Sequence, residues 1–195
     1  TDWFWCSGAF GVQRPVVRHL WPRRWRRSDV YHKLVGLDRR HGIVDRLDAR
    51  AGRPRRERVI QDVEVPTDRL ADFLGWFDEA IGMRPVWLCP LRLREVDGQA
   101  RAWPGYPLEP GRTYVNVGFW GTVHVGPDAP QGPRNRAIEA RVTELGGHKS
   151  LYSEAFYDRP EFERLYGGDL PERMKATYDP DRRFPGLFEK TVNNA

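Results

Sequence analysis

The stretch Val59–Gly82 reads VIQDVEVPTDRLADFLGWFDEAIG, and its period changes in the middle. Val59 to Val65 alternates apolar and polar residues, the period of two of a half-buried strand. Pro66 has no N–H to give to a ladder and ends the run. From Thr67 onward Leu70, Phe73, Leu74, Phe77 and Ile81 recur at helical spacing and form one apolar stripe. Thr67 is expected to cap this helix and Gly82 to stop it. A strand that runs directly into a helix is half of a strand-helix-strand unit.

The rest of that unit, and a second one, follow along the chain. Pro85–Leu93 (PVWLCPLRL) reads as a strand, and its interior Pro90 places it at a sheet edge or a bulge. A loop rich in Pro and Gly leads to Thr113–Gly121 (TYVNVGFWG), a third strand. A helix over 134–145 carries Ile138, Val142 and Leu145 on its stripe and stops at Gly146-Gly147. His148–Phe156 is expected to be the fourth strand. The fold class is therefore α+β: a ferredoxin-like split βαβ antiparallel sheet with both helices on one face. Residues 59–157 form this domain. Residues 1–58 form a basic arm and linker, and residues 158–195 a helical tail broken by Pro180 and Pro185.

Alternation sorts the strand residues into two faces. Val63, Val65, Val115, Val117, Phe119 and Leu151 should meet the helices. Asp62, Glu64, Trp87, Cys89, Tyr114, Asn116, Trp120, Tyr152 and Glu154 should point the other way. That second face is too aromatic for plain solvent and too polar for a core. Within LYSEAFYDRPEFERLYGGDL (151–170), one strand face would carry both Tyr152 and Glu154. Beyond it Asp158 and Glu161 have the spacing of a capping box, and Gly167-Gly168 end the helix.

The 195 residues suffice for one domain with arms. The net charge of +5 is unevenly spread, with +9 on residues 1–58 and −4 on the remainder. An arm of that sign suits an acidic partner. Its central stretch, residues 19–37, interleaves Trp and Arg (HLWPRRWRRSDVYHKLVGL). Three readings stand there: peripheral contact with an anionic membrane, binding of nucleic acid, or wrapping of another domain. Two distant cysteines, Cys6 and Cys89, make no disulfide framework, and a cytoplasmic location is expected.

Neither GxGxxG nor GxxxxGK[ST] occurs, and the five histidines form no metal-ligand spacing, so no metal site is expected. Tyr114, Tyr152 and Glu154 are the candidates for proton transfer, since Tyr and Glu exchange protons where burial shifts their pKa. The other reading makes them ordinary interface groups.

VIQDVEVP, PVWLCPLRL, YVNVGFWG, LYSEAFYDRPEF and the FPGLFEK tail, in this order and spacing, carry a resemblance. The chain resembles the C-terminal part of FAD-linked oxidoreductases of the vanillyl-alcohol-oxidase type, most closely their delta-24 sterol reductase (Diminuto) group. The resemblance implies a cap domain over a flavin ring and a tail returning to a flavin domain. FAD would be bound mainly by a domain or chain outside these residues. It implies hydride transfer through flavin N5 to or from an apolar, sterol-like substrate. Tyr114, Tyr152 and Glu154 would then be catalytic, Trp87, Cys89, Asn116 and Trp120 would line the substrate slot, and Lys175 and His148 would approach the cofactor. The alternatives are a ferredoxin-like binding module using its arm on RNA or a membrane, and a non-catalytic remnant of such an enzyme. Nucleic acid is disfavoured, because an RNA-binding sheet of this fold shows aromatics with Lys and Arg. This sheet shows Asp62, Glu64 and Glu154.

Overall fold

The computed structural model describes residues 28–192. They fall into two compact units, one of residues 28–56 with 124–129, the other of residues 57–123 with 130–192. Residues 19–27 of the Trp/Arg stretch, and Cys6, lie outside the described residues.

The first unit holds two helices, α1 (Ser28–His41) and α2 (Ile43–Arg50). Gly42 joins them at φ 56°, in the left-handed region, and its N–H donates to the Asp38 carbonyl at 2.7 Å. The buried Asp48 carboxylate accepts from Arg56 Nε at 2.7 Å and Arg53 Nη1 at 3.4 Å. Arg56, the stronger influence, and Arg53 hold its carboxyl below the usual range. Within the segment read as a basic arm and linker, α1 and α2 are thus regular helices. The Arg-rich composition hides a helical stripe that includes Leu34, Leu37, Ile43 and Leu47, all still exposed.

The second unit is the ferredoxin-like domain with its tail. Its main strands are β1 (Arg56–Pro66), β2 (Trp87–Leu91), β5 (Tyr114–His124) and β6 (His148–Lys149). A two-stranded hairpin, β3 (Glu95–Val96) with β4 (Gln99–Ala100), lies in the long loop between β2 and β5. The main sheet has the order β2-β5-β1-β6, with β2 antiparallel to β5 and β6 antiparallel to β1. β2 is an edge strand, which is where Pro90 costs no interior ladder bond.

Helices α3 (Leu70–Ala80) and α4 (Pro133–Glu144) cover one face. Phe73, Phe77 and Ile81 from the α3 side meet Ile138, Val142 and Leu145 from the α4 side. Both sets pack on Val59, Val63, Val65, Val115, Val117 and Phe119 of the sheet. Thr67 does not cap α3 as expected. Residues Thr67–Arg69 form a 3₁₀ turn, and the Thr67 hydroxyl donates to the Thr113 carbonyl instead. The start of α4 is capped from a distance. Gly132 has no side chain to offer, and the Glu57 carboxylate on β1 accepts from Arg134 N and Asn135 N, each at 2.9 Å. Two amides left free by the helix geometry are thus satisfied by a neighbouring strand.

The fourth strand departs from expectation. It stops at Lys149, and the chain turns at Leu151-Tyr152. Lys149 explains this. Its ammonium, fully buried, pairs with Glu139 of α4 at 2.9 Å and also donates to the Glu154 carbonyl. Glu139 in turn accepts from Phe156 N at 3.0 Å. The Tyr166 hydroxyl donates to the Lys149 carbonyl at 2.7 Å and accepts from Lys149 N at 3.2 Å, which satisfies the outer edge of the sheet. The segment after β6 is therefore drawn towards α4 rather than along β1. Leu151 accordingly packs in a second core with Ala155, Tyr157, Phe162 and Tyr166, not under the two helices.

The tail has three short helices, α5 (Arg159–Leu165), α6 (Leu170–Tyr178) and α7 (Leu187–Thr191). Asp158 caps α5 by accepting from Glu161 N at 2.8 Å, as the capping-box spacing predicts.

Candidate functional site

The sheet face opposite α3 and α4 is assembled by register. On β1, Asp62 and Glu64 are two residues apart and share a side. On β5, Tyr114, Asn116, Gly118 and Trp120 do the same. Cys89 lies opposite Asn116, Trp87 opposite Gly118, and His148 opposite Glu64. Trp87, Cys89, Asn116 and Trp120 therefore share this side of the sheet, as expected. Trp87 is 60% exposed, Trp120 39% and Tyr152 56%, an aromatic surface unusual for a face open to water.

Gly118 makes room within it. A Cβ there would stand 2.4 Å from Asp62 Oδ1 and 3.4 Å from the Trp87 side chain. The missing side chain lets the Asp62 carboxyl lie across β5. Burial raises the Asp62 pKa, opposed by the Tyr152 hydroxyl acting on the same carboxyl. Burial, with the Asp62 and Glu64 charges, raises the Tyr152 pKa well above the ordinary phenol value. Tyr152 is therefore protonated at neutral pH.

Beside this surface sits a closed polar cluster centred on Glu64, which is 1% exposed. Glu64 Oε1 accepts from Asn116 Nδ2 at 2.9 Å and from Ser150 Oγ at 2.7 Å. Its Oε2 lies 3.4 Å from His148 Nε2, and the His148 ring is equally buried. The Tyr106 hydroxyl is 3.3 Å from Ser150 Oγ, and its ring meets the His148 ring edge-on at 4.9 Å. Burial raises the Glu64 carboxyl, opposed by Ser150, Asn116 and Tyr106, with Asp62 adding to the rise. Burial lowers His148 to about 4 and raises Tyr106 to about 12. In a dry site both members of the acid–imidazole pair are pressed towards neutrality.

The structure brings together only some of the expected site residues. Tyr114 lies on this face but is fully buried among Leu93, Leu108, Leu91 and Tyr106, and its hydroxyl accepts from Glu109 N at 3.3 Å. Tyr152 reaches Asp62, although no strand places it there. Glu154 no longer shares a face with Tyr152, because the strand alternation ends at Lys149. Glu154 instead lines a cavity of about 350 Å³ with Gln131, Arg136, Ala155, Phe156, Tyr157, Asp158 and Val192. Lys175 pairs with Asp179 and donates to the Phe184 carbonyl, so it braces the turn before α7. Ser150 and Tyr106 escaped sequence reasoning. Tyr106 sits in an aperiodic Pro/Gly loop, and only the Glu64–His148 register places it over the sheet.

Among the described residues no group of three or more His, Cys, Asp or Glu could hold a metal ion. None of the described helices is long and apolar enough to cross a membrane. As for a flavin, the donor set fits one end of it. Exposed indoles, a phenol, a thiol and an amide suit a flat conjugated ring and an apolar ligand. The same face, with Asp62 and Glu64 on it, does not suit a pyrophosphate.

Comparison with known proteins agrees with the resemblance. The chain is 28% identical over 145 residues to the delta(24)-sterol reductase of Arabidopsis thaliana, covering 68% of this chain and 26% of that protein. It is 26% identical over 136 residues to the delta(24)-sterol reductase homolog of Caenorhabditis elegans, covering 69% of this chain and 25% of that protein. It is 27% identical over 137 residues to the delta(24)-sterol reductase of Homo sapiens, covering 70% of this chain and 26% of that protein. The chain thus spans about a quarter of the length of the curated relatives it matches. No family model and no solved structure matches it.

Proposed function

We propose that this chain is the substrate cap and C-terminal part of an FAD-dependent oxidoreductase acting on an apolar, sterol-like substrate. The observation that carries this reading is the sheet face opposite the helices. It joins exposed Trp87, Trp120 and Tyr152 to the carboxyl of Asp62, beside a buried acid. Sterol reductases as relatives supply the substrate class. A flavin-binding domain or chain is the partner that would face this surface, and FAD, when bound there, supplies hydride transfer through its N5.

The chain's own residues do the rest. Trp87, Cys89, Asn116 and Trp120 line the slot and exclude water. Tyr152, protonated and beside Asp62, donates the proton that accompanies the hydride. Of the other assigned residues, Tyr114 shapes the face from beneath. Glu154 acts from its own cavity, Lys175 by fixing the tail turn, and His148 from below Tyr106. Exposed Leu34 and Leu37 on α1, next to Lys33 and Arg40, fit a peripheral membrane contact of the 19–37 stretch. The acidic sheet face speaks against the RNA-binding alternative.

The complete protein from its host should be yellow, and its flavin should shield Cys89 from alkylation. Tyr152→Phe should slow reoxidation of reduced flavin by substrate by tenfold or more, roughly the low end of what a general acid contributes. A colourless complete protein, or an unchanged Tyr152→Phe rate, would sink the reading.

A further inference from the structure

The Glu64 cluster is built like a proton conduit, and Tyr152 lies close enough to feel the Glu64 charge. From the half-buried Tyr106 hydroxyl, the contacts run 3.3 Å to Ser150 Oγ and 2.7 Å from there to Glu64 Oε1. Asn116 donates to the same oxygen from the other side. His148 Nε2 stands 3.4 Å from the second oxygen, outside hydrogen-bond geometry, and neither His148 nitrogen nor Glu64 Oε2 has a hydrogen-bond partner among the described residues. The geometry points to Glu64 as the proton store of the reaction carried out on this sheet face. Ser150 and Tyr106 are its relay, and the buried His148 ring shields its second oxygen from water.

The chain of hydroxyls can be polarised in two ways that differ by one proton moved end to end. With Glu64 protonated, its O–H donates to Ser150, Ser150 donates to Tyr106, and the Tyr106 O–H points outward. Delivery breaks the Tyr106 O–H bond. Tyr106 takes a proton from Ser150, and Ser150 takes one from Glu64. Each hydroxyl is restored and Glu64 alone is left as carboxylate. His148 stays neutral throughout, and its buried ring keeps water from the second Glu64 oxygen. Among the described residues, the titratable and polar groups around Glu64 include Asp62 on β1, Asn116 on β5, Tyr106 from the loop, His148 and Ser150 at β6, Tyr152 beyond it and Tyr166 after α5. None of these is a permanent cation. No ammonium or guanidinium among them holds Glu64 ionised, and burial favours its protonated form.

This inference rests on the oxidoreductase reading: Tyr152 transfers the proton that accompanies the hydride, and the Glu64 store replaces it. The test has two arms. Infrared spectroscopy of the 195-residue chain should show a carboxylic acid band at neutral pH. The band should vanish in Glu64→Gln and shift in Ser150→Ala, which removes one of its hydrogen bonds. The absence of any band that responds to Glu64→Gln would overturn the store. In the complete flavoprotein, Ser150→Ala should slow the proton-coupled half-reaction by tenfold or more and change its pH profile, and Ser150→Thr should restore both. Unchanged rate and profile in a yellow, active protein would overturn the relay while leaving the oxidoreductase reading intact. A colourless protein would remove that reading and the relay's substrate with it.

Discussion

Replacing His148 by Phe should remove a pH dependence of stability that burial of the imidazole gives the native chain. His148 is 1% exposed and its pKa falls from 6.5 to about 4 through burial alone. A depressed imidazole stabilises the fold fully above its unfolded pKa of 6.5. That stability is lost as the pH falls towards 4, since the unfolded chain takes up a proton that the folded chain refuses. A gap of about 2.5 units corresponds to about 3 kcal/mol at 1.36 kcal/mol per unit. Glu64 works with the opposite sign. Its folded pKa is raised above 4.5, so its contribution is fully present below pH 4.5 and is lost as the pH rises through the folded value. The Glu64 contribution is common to the native chain and a His148→Phe variant and cancels in their comparison. The phenyl ring of His148→Phe has no proton to take, so the native chain should lose up to about 3 kcal/mol relative to the variant between about pH 7 and 4. That is roughly 6–12 °C of melting temperature for a chain of this size. Thermal melts of both chains over this range measure the difference directly, because every other titrating group cancels. Parallel melting curves would refute the reasoning.

Lys149→Met should be among the more destabilising single changes, about 3–5 kcal/mol, since it leaves Glu139 buried without its cation. The double variant Lys149→Met/Glu139→Gln should recover more than half of that loss in the same melts. Gly132→Ala should destabilise by more than about 1 kcal/mol. Gly132 sits at φ 65°, and a Cβ there would stand 2.3 Å from the Phe156 ring. Its effect should appear as faster amide exchange over 150–157.

The alternating runs at Val59–Val65 and Thr113–Gly121, and the stripes of Phe73/Phe77 and Ile138/Val142, specify the sheet and its covered face unaided. Both follow from burial, which writes itself into sequence as a period. What the sequence could not show is where a single buried charge overrides that period. HKSLYSEAF alternates well enough to be a strand of nine residues. One ammonium, on Lys149, needs Glu139 and a carbonyl, and satisfying it bends the chain after two residues. Satisfying a buried charge outweighs the modest worth of a few edge-ladder hydrogen bonds. Tyr152 and Glu154 are separated by that event. The site was legible in kind, as a face too aromatic for water and too polar for a core, but not in its membership.

The same logic explains why the acid at the centre of the site is Glu64 rather than Glu154. A carboxyl that is dry and held by neutral donors keeps its proton above the usual carboxylate range. Glu64 has both properties, with Asn116 and Ser150 as the donors. Such an arrangement costs stability, because an apolar pair in the same space would need no compensating partners. A Glu64→Leu/His148→Phe double variant is the decisive form of that argument. It should melt at least as high as the native chain, yet carry no carboxylic acid band and, in the complete flavoprotein, turn over at least about tenfold more slowly. A variant that melted lower and turned over normally would show that the pair serves the fold and not the chemistry.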